Sequence, residues 1–214
     1  MDTDVLSTHS AIPHIDYEVV VGLDVALTLA VSEQWSETRN NLFTEMLKAN
    51  PNLFNDPKDI ANTLTEYGLT DFHWNWLAKA TQFNTDEYIW LYLTTGNGRV
   101  QAVALIYHPK ESRVDQENIF YVDYIATAYW NRPYPGSPGR EFSGAARILI
   151  ASAISHCQTT FGYRAGFSLH SLPTAESYYQ SLGMIAFEKD PLKENLRYFE
   201  ADSATSLKIA GSAP

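Results

Sequence analysis

The segment Ile119 to Thr127, IFYVDYIAT, is apolar and aromatic apart from one carboxylate, Asp123. Burying an ionised carboxylate in such a strand is costly unless it has a partner or a task. Partial burial also raises its pKa toward the range in which it can accept a proton. A hydrogen bond to a neighbouring strand or to Arg99 would equally account for it, and the sequence leaves both open. His170 closes a later apolar run and is a second group able to exchange a proton near neutral pH, although a single histidine often serves structure alone. Between the two, Gly144-Ala145-Ala146 opens a helix after a loop marked by Pro133, Pro135, Gly136, Pro138 and Gly139. The first turn of a helix has N–H groups without intrahelical partners and a partial positive charge. Small residues let that backbone come close to an anion, so Ser143 to Ala146 read as a pyrophosphate cradle. Arg140 is the nearest cation, with Arg132 and Arg147 as further candidates. Close helix packing is the other use of such a Gly-Ala-Ala run.

Other chemistries lack their signatures. The six histidines show no HExxH or Cys/His spacing, so no metal is expected. There is no Gly-x-Ser-x-Gly elbow, and Cys157, the only cysteine, sits in an apolar helical pattern and reads as a buried small residue.

These residues need elements to position them. Tyr17 to Leu23 reads as a first strand, and Asp24 can cap the helical pattern after it. Trp35, Leu42, Phe43, Met46 and Leu47 recur near the helical period, predicting a helix over Ser32 to Ala49 that ends at Asn50-Pro51. A second helix is predicted over Pro57 to Tyr67, and a third from Thr70-Asp71 through Phe83. The third carries Phe72, Trp74 and Trp76, which suit a core or the wall of a substrate cleft. Tyr88 to Thr94 and Arg99 to Tyr107 flank Gly96-Asn97-Gly98 as a hairpin, and His108 to Gln116 reads as a polar loop. In the strand Ile119 to Thr127, alternation places Tyr121, Asp123, Ile125 and Thr127 on one face and Phe120, Val122, Tyr124 and Ala126 on the other. A helix over Ser143 to Phe161, a strand over Tyr163 to Leu169, a helix over Pro173 to Leu182 and two short strands near Ala186 and at Leu196 to Glu200 complete the order. That order predicts an α/β (α+β) fold: a mixed, mostly antiparallel twisted sheet of about six or seven strands flanked by helices, with an enlarged helical N-terminal part.

The 214 residues suit one domain, and 45% hydrophobic with 19% charged residues is ordinary for a globular chain. No apolar run reaches the length of about 18 residues that a membrane span requires. The acidic start, MDTDVLSTHSAIPHID, lacks a secretory pattern, and with one cysteine it points to a cytoplasmic location. The net charge is −10 with a pI near 4.9 and no Lys/Arg cluster, which argues against a nucleic-acid partner. Between Asp24 and Glu87, ten acidic residues stand against Arg39, Lys48, Lys58 and Lys79, an imbalance that would favour a protonated amine.

Over Tyr88 to Glu200 the chain resembles the GNAT superfamily of acyl-CoA-dependent N-acyltransferases. The family's pyrophosphate signature is Gln or Arg, two residues, Gly, one residue, then Gly or Ala. Here Glu141-Phe142-Ser143-Gly144-Ala145-Ala146 supplies Gly144 and Ala146, with Glu141 first and expected to turn to solvent. A second landmark, Ala, two residues, an aromatic, Tyr, then Gly-Phe, is matched by Ala175, Tyr178, Tyr179, Gly183 and Met184. A usual Asn before that motif is Leu172 here, beside Ser171. The resemblance implies acetyl-CoA or a longer acyl-CoA as co-substrate, no metal, and an amine-bearing small molecule or peptide as acceptor, attacked directly in a ternary complex. It implies Asp123 as base, His170 as the second candidate, and Tyr179 as the acid that protonates the departing thiolate. The backbone of Ile125, Ala126 and Thr127 would hold the thioester and pantetheine, and Arg140, Ser143, Gly144, Ala145 and Ala146 the pyrophosphate. Phe72, Trp74, Trp76 and Tyr121 would contact the acceptor or a longer acyl chain. The implied organisation is a flexible lead-in at 1–16, one domain at 17–200 with its acceptor side at 24–87 and CoA-binding core at 88–200, and a polar tail at 201–214. A homodimer is compatible with this reading. The alternative is a catalytically silent module that binds acyl-CoA or a partner.

Overall fold

Two runs rich in β-branched and aromatic residues, Tyr88–Thr95 and Val100–Glu111, meet at a tight turn where Gly98 takes a φ of +75°, a conformation that glycine adopts without steric cost. In the computed structural model, which describes residues 15–211, this hairpin lies within a seven-stranded sheet. In chain order the strands are β1 (Tyr17–Val21), β2 and β3 (the hairpin), β4 (Asn118–Thr127), β5 (Phe167–Ser171), β6 (Ile185–Asp190) and β7 (Leu196–Ala201). The helices are α1 (Val25–Ala49), α2 (Pro57–Glu66), α3 (Trp76–Gln82), α4 (Ala145–Phe161), α5 (Glu176–Ser181) and α6 (Ser203–Gly211). The spatial order is β1-β2-β3-β4-β5-β7-β6. All neighbours run antiparallel except β4 and β5, which are parallel and need the crossover that α4 provides.

The sheet buries both faces. On one, Leu91, Ala104, Phe120, Val122 and Phe199 pack against Leu149, Ala153 and Ile154 of α4. On the other, Trp90, Tyr92, Val103 and Leu105 pack against Val31, Trp35 and Met46 of α1 and Trp76 of α3. Among the described residues no helix is long and apolar enough to cross a membrane.

Several expectations change. Asp24 does cap α1, its carboxylate accepting from the Leu27 N–H at 2.9 Å, so the helix starts about two turns before Ser32. The third helix starts at Trp76 and not at Thr70, because Asn75 caps it by accepting from the Ala78 N–H. The strand expected from Tyr163 begins at Phe167. Within the expected tail, 203–211 form α6, with Ser206 and Ile209 buried. Residues 1–14 of the lead-in lie outside the described residues.

The alternation assigned to β4 also fails, for a definite reason. Leu105 faces Tyr124 while Ile106 faces Val122, so Asp123 is the additional residue of a β-bulge. The phase resets there. Phe120, Val122 and Ile125 pack on the α4 side, whereas Tyr124 and Ala126 pack on the α1 side, where Tyr121 also points.

Candidate functional site

The parallel ladder between β4 and β5 has only three rungs, Phe120 with Phe167, Tyr121 with Ser168 and Val122 with Leu169. Beyond Val122, β4 continues to Thr127, while His170 and Ser171 pair with β7. The sheet therefore splits at the bulge. A cleft of about 670 Å³ occupies the split, reaching from Trp74, Asn75 and Lys79 on one side to Leu169, Ala175 and Tyr179 on the other.

Asp123 sits at the mouth of the split. Burial raises its pKa above the ordinary carboxylate value, with Lys193 and Lys79 opposing the rise. Burial lowers the pKa of Lys79, against the pull of Asp123, and its ammonium lies 3.2 Å from the centroid of the Tyr124 ring. Arg99, the alternative partner for Asp123, instead binds Glu141 through Nη1 at 2.6 and 2.8 Å. His170 is held by its surroundings. Its Nδ1 is 2.9 Å from the Tyr121 hydroxyl and its Nε2 is 3.3 Å from Asp190 Oδ2, the latter an ion-pair distance without hydrogen-bond alignment. With Tyr121 donating, the neutral ring carries its proton on Nε2, toward Asp190. Burial lowers its pKa, with Asp190 opposing. In this arrangement His170 orients Tyr121 and has no lone pair left for a substrate proton.

Tyr179 reaches the cleft from α5, its ring 5.7 Å from that of Phe199. Burial raises its pKa to about 12, so the phenol keeps its proton at neutral pH and can donate it. Ser171 donates to the Leu172 carbonyl at 2.8 Å, which occupies the hydroxyl next to the missing Asn.

The loop before α4 is fixed by a buried polar chain. Gln101 Oε1 accepts from Trp130 Nε1 and Asn131 Nδ2, both at 2.8 Å, and Asn131 Oδ1 accepts from the Phe142 N–H. Gly144 then turns the chain into α4 at a φ of +78° with no side-chain cap, so the first-turn N–H groups have no partner in the helix. A bare, uncapped helix start with small residues fits a pyrophosphate. Arg140 is exposed beside it. Arg132 is not available as an anion ligand: it is buried against Asp71, the Gly68 carbonyl and the Thr127 carbonyl. That last bond also occupies the carbonyl of Thr127, one of the groups expected to hold the thioester.

The structure thus brings Asp123, Tyr121, Ile125, His170, Tyr179 and Trp74 to one cleft. Ala126 is buried on the α1 side. Ser143, Gly144, Ala145 and Ala146 lie apart from that cleft at the start of α4, with Ala145 facing the core. Trp76 is 5% exposed among Trp35 and Trp90 and cannot touch a ligand. Phe72 packs on Phe43 outside the cleft. Lys79 and Lys193 were not identified from the sequence, in which single lysines resemble a solvated face. The acids of the 24–87 region do not reach the cleft: its only lysine, arginine or carboxylate there is Lys79. Among the described residues no group of three His, Cys, Asp or Glu could hold a metal ion.

No family model matches the chain. No curated protein matches it either. Among solved structures it is similar to PaiA N-acetyltransferase from Thermoplasma acidophilum in complex with coenzyme A, at 10% identity over 88% of this chain and 99% of that one, with a TM-score of 0.47. It is also similar to spermidine N-acetyltransferase from Vibrio cholerae in complex with CoA and spermine, at 10% identity over 88% and 98% of the two chains and a TM-score of 0.47. A third is histone acetyltransferase HPA2 and related acetyltransferase from Corynebacterium glutamicum, at 13% identity over 86% and 94% and a TM-score of 0.46. Likeness this remote carries no weight for activity, which rests on the residues of this chain.

Proposed function

We propose that this chain is a GNAT-type N-acyltransferase that moves an acyl group from acyl-CoA to an amine. The observation that supports it best is the pairing of a desolvated carboxylate, Asp123 on the bulge, with a protonated phenol, Tyr179, across one split in the sheet. When bound, acyl-CoA supplies an activated acyl group. The unpaired first-turn N–H groups of α4 and the exposed Arg140 hold its pyrophosphate. The free edge of β4 at Asp123 to Ile125 offers backbone donors and acceptors to the amides of its arm, with Thr127 contributing no carbonyl.

Asp123 takes the proton of the acceptor amine as the new C–N bond forms, and the Tyr179 O–H protonates the sulfur as the C–S bond breaks. Lys79 and Lys193 keep Asp123 from becoming too weak an acid to be ionised at neutral pH. No step requires a covalent intermediate on the protein, because Cys157 is buried and its thiol pKa is raised to about 12.

The test is amine-dependent release of free thiol from acetyl-CoA and longer acyl-CoAs across a set of amines. Turnover is expected with the unmodified chain. Tyr179→Phe should slow it about ten-fold or more, while CoA binding measured by calorimetry changes by less than about two-fold. Absence of thiol release with every amine and every acyl-CoA would overturn the assignment.

A further inference from the structure

On the sheet face that carries α1, tyrosines line up across β2, β3 and β4. Tyr88 stands opposite Tyr107, and Tyr107 opposite Tyr121. Tyr198 of β7 continues the row beyond His170, its partner in β5. These four phenols floor a second pocket, of about 300 Å³, that shares Tyr121, Asp123, His170 and Lys193 with the main cleft.

Three cations line it: Lys110, Arg113 and Lys193. Among the described residues none of the three forms an ion pair. Arg113 lies 3.8 Å over the Tyr198 ring, a stacking that holds the guanidinium by its face and leaves its in-plane N–H donors free. The acids lining the pocket are Asp123 and Asp190, two carboxylates against three cations. The Tyr198 hydroxyl already donates to Glu200 and the Tyr121 hydroxyl to His170, so the cations are the groups left to bind a ligand. Unpaired cations around a small cavity suit an oxyanion. The oxyanion is not the pyrophosphate of the co-substrate, whose cradle is at the start of α4, on the opposite face.

Resting on the N-acyltransferase reading, the geometry points to an acceptor amine that carries its own oxyanion, a carboxylate or a phosphate, seated among Lys110, Arg113 and Lys193 while the amine faces Asp123. Because the two pockets share Asp123, amine and oxyanion belong to one small molecule. This narrows the acceptor away from polyamines, which the acidic composition of 24–87 would have favoured.

The experiment compares matched acceptors with acetyl-CoA as donor: common amino acids, each against its carboxamide, and phosphoethanolamine against ethanolamine. One class of anionic acceptor should show kcat/KM about ten-fold or more above its neutral twin, and which class does so identifies the oxyanion. Lys193→Ala and Arg113→Ala should each reduce that ratio to within about three-fold, whereas Lys48→Ala, on the exposed side of α1, should leave it intact. Equal use of the twins, or a preference for polyamines, overturns the proposal and leaves the acyltransferase reading standing. If no amine drives thiol release, calorimetric titration of the same twins decides the matter. Tighter binding of the anionic twin by about ten-fold, lost in Lys193→Ala, supports the pocket by itself, and equal binding overturns it.

Discussion

Asp123 works against the fold that holds it. Its pKa is raised by burial, so the folded chain binds that proton more tightly than the unfolded chain does. Stability from this group is therefore lost as pH rises from the unfolded value through the folded one. Asp123→Asn should melt higher than the unsubstituted chain at pH 7, and the difference should shrink as pH falls toward the ordinary carboxylate value. The same change should lower kcat/KM by about 10²- to 10⁴-fold, the usual worth of a general base. Thermal melts at two pH values and initial rates check both halves, and a variant that is less stable and equally active refutes them. Asp123 was legible in the sequence because a single charge among apolar neighbours stands out. Gln101 was not: in RVQAVALIY it reads as one polar residue in a strand, yet it is 2% exposed and anchors Trp130 and Asn131. Its importance comes from partners about thirty positions along the chain, which no local pattern records.

Strands β2, β3 and β4 and helix α4 follow their hydrophobic patterns, because long periodic segments with glycine punctuation leave little choice of conformation. The failures are local. The aromatic run at Phe72, Trp74 and Trp76 suggested a helix from Thr70, but Asn75 is the cap, so Trp74 enters the cleft while Trp76 enters the core. The bulge at Asp123 left no mark in the alternation, since one additional residue shifts the phase without changing composition. At the start of α4, Gly144 takes a positive φ. Gly144→Ala should cost about 1–2 kcal/mol of stability, read from urea unfolding, and should weaken CoA binding by about ten-fold through displacement of the first-turn N–H groups. Unchanged affinity would remove the pyrophosphate role from this turn.

At the scale of the molecule, the sheet is two blocks, β1 to β4 and β5-β7-β6, joined by three rungs and by the packing of α4. A buried knot secures the closed end. Glu200, fully buried, accepts from Ser112 and from the Arg113 N–H of the β3–β4 loop and pairs with Arg164 ahead of β5 at 3.1 Å. Removing the carboxylate strands the Ser112 hydroxyl and the Arg113 N–H and leaves Arg164 paired with Asp115 alone, so Glu200→Ala should cost about 1–3 kcal/mol in denaturant unfolding. A loss below about 1 kcal/mol would show that the knot is incidental. The knot at one end and the split at the other make the sheet a pair of jaws with a fixed pivot. Beyond the rungs at Phe120 to Val122, β4 is held on its β3 side alone, so whatever lodges in the seam acts as a wedge whose thickness sets how far Tyr179 stands from Asp123. On the proposed chemistry the site is then a matter of gauge: an occupant of the right width spaces acid and base for a proton to move, and an empty or overfilled seam leaves them out of step.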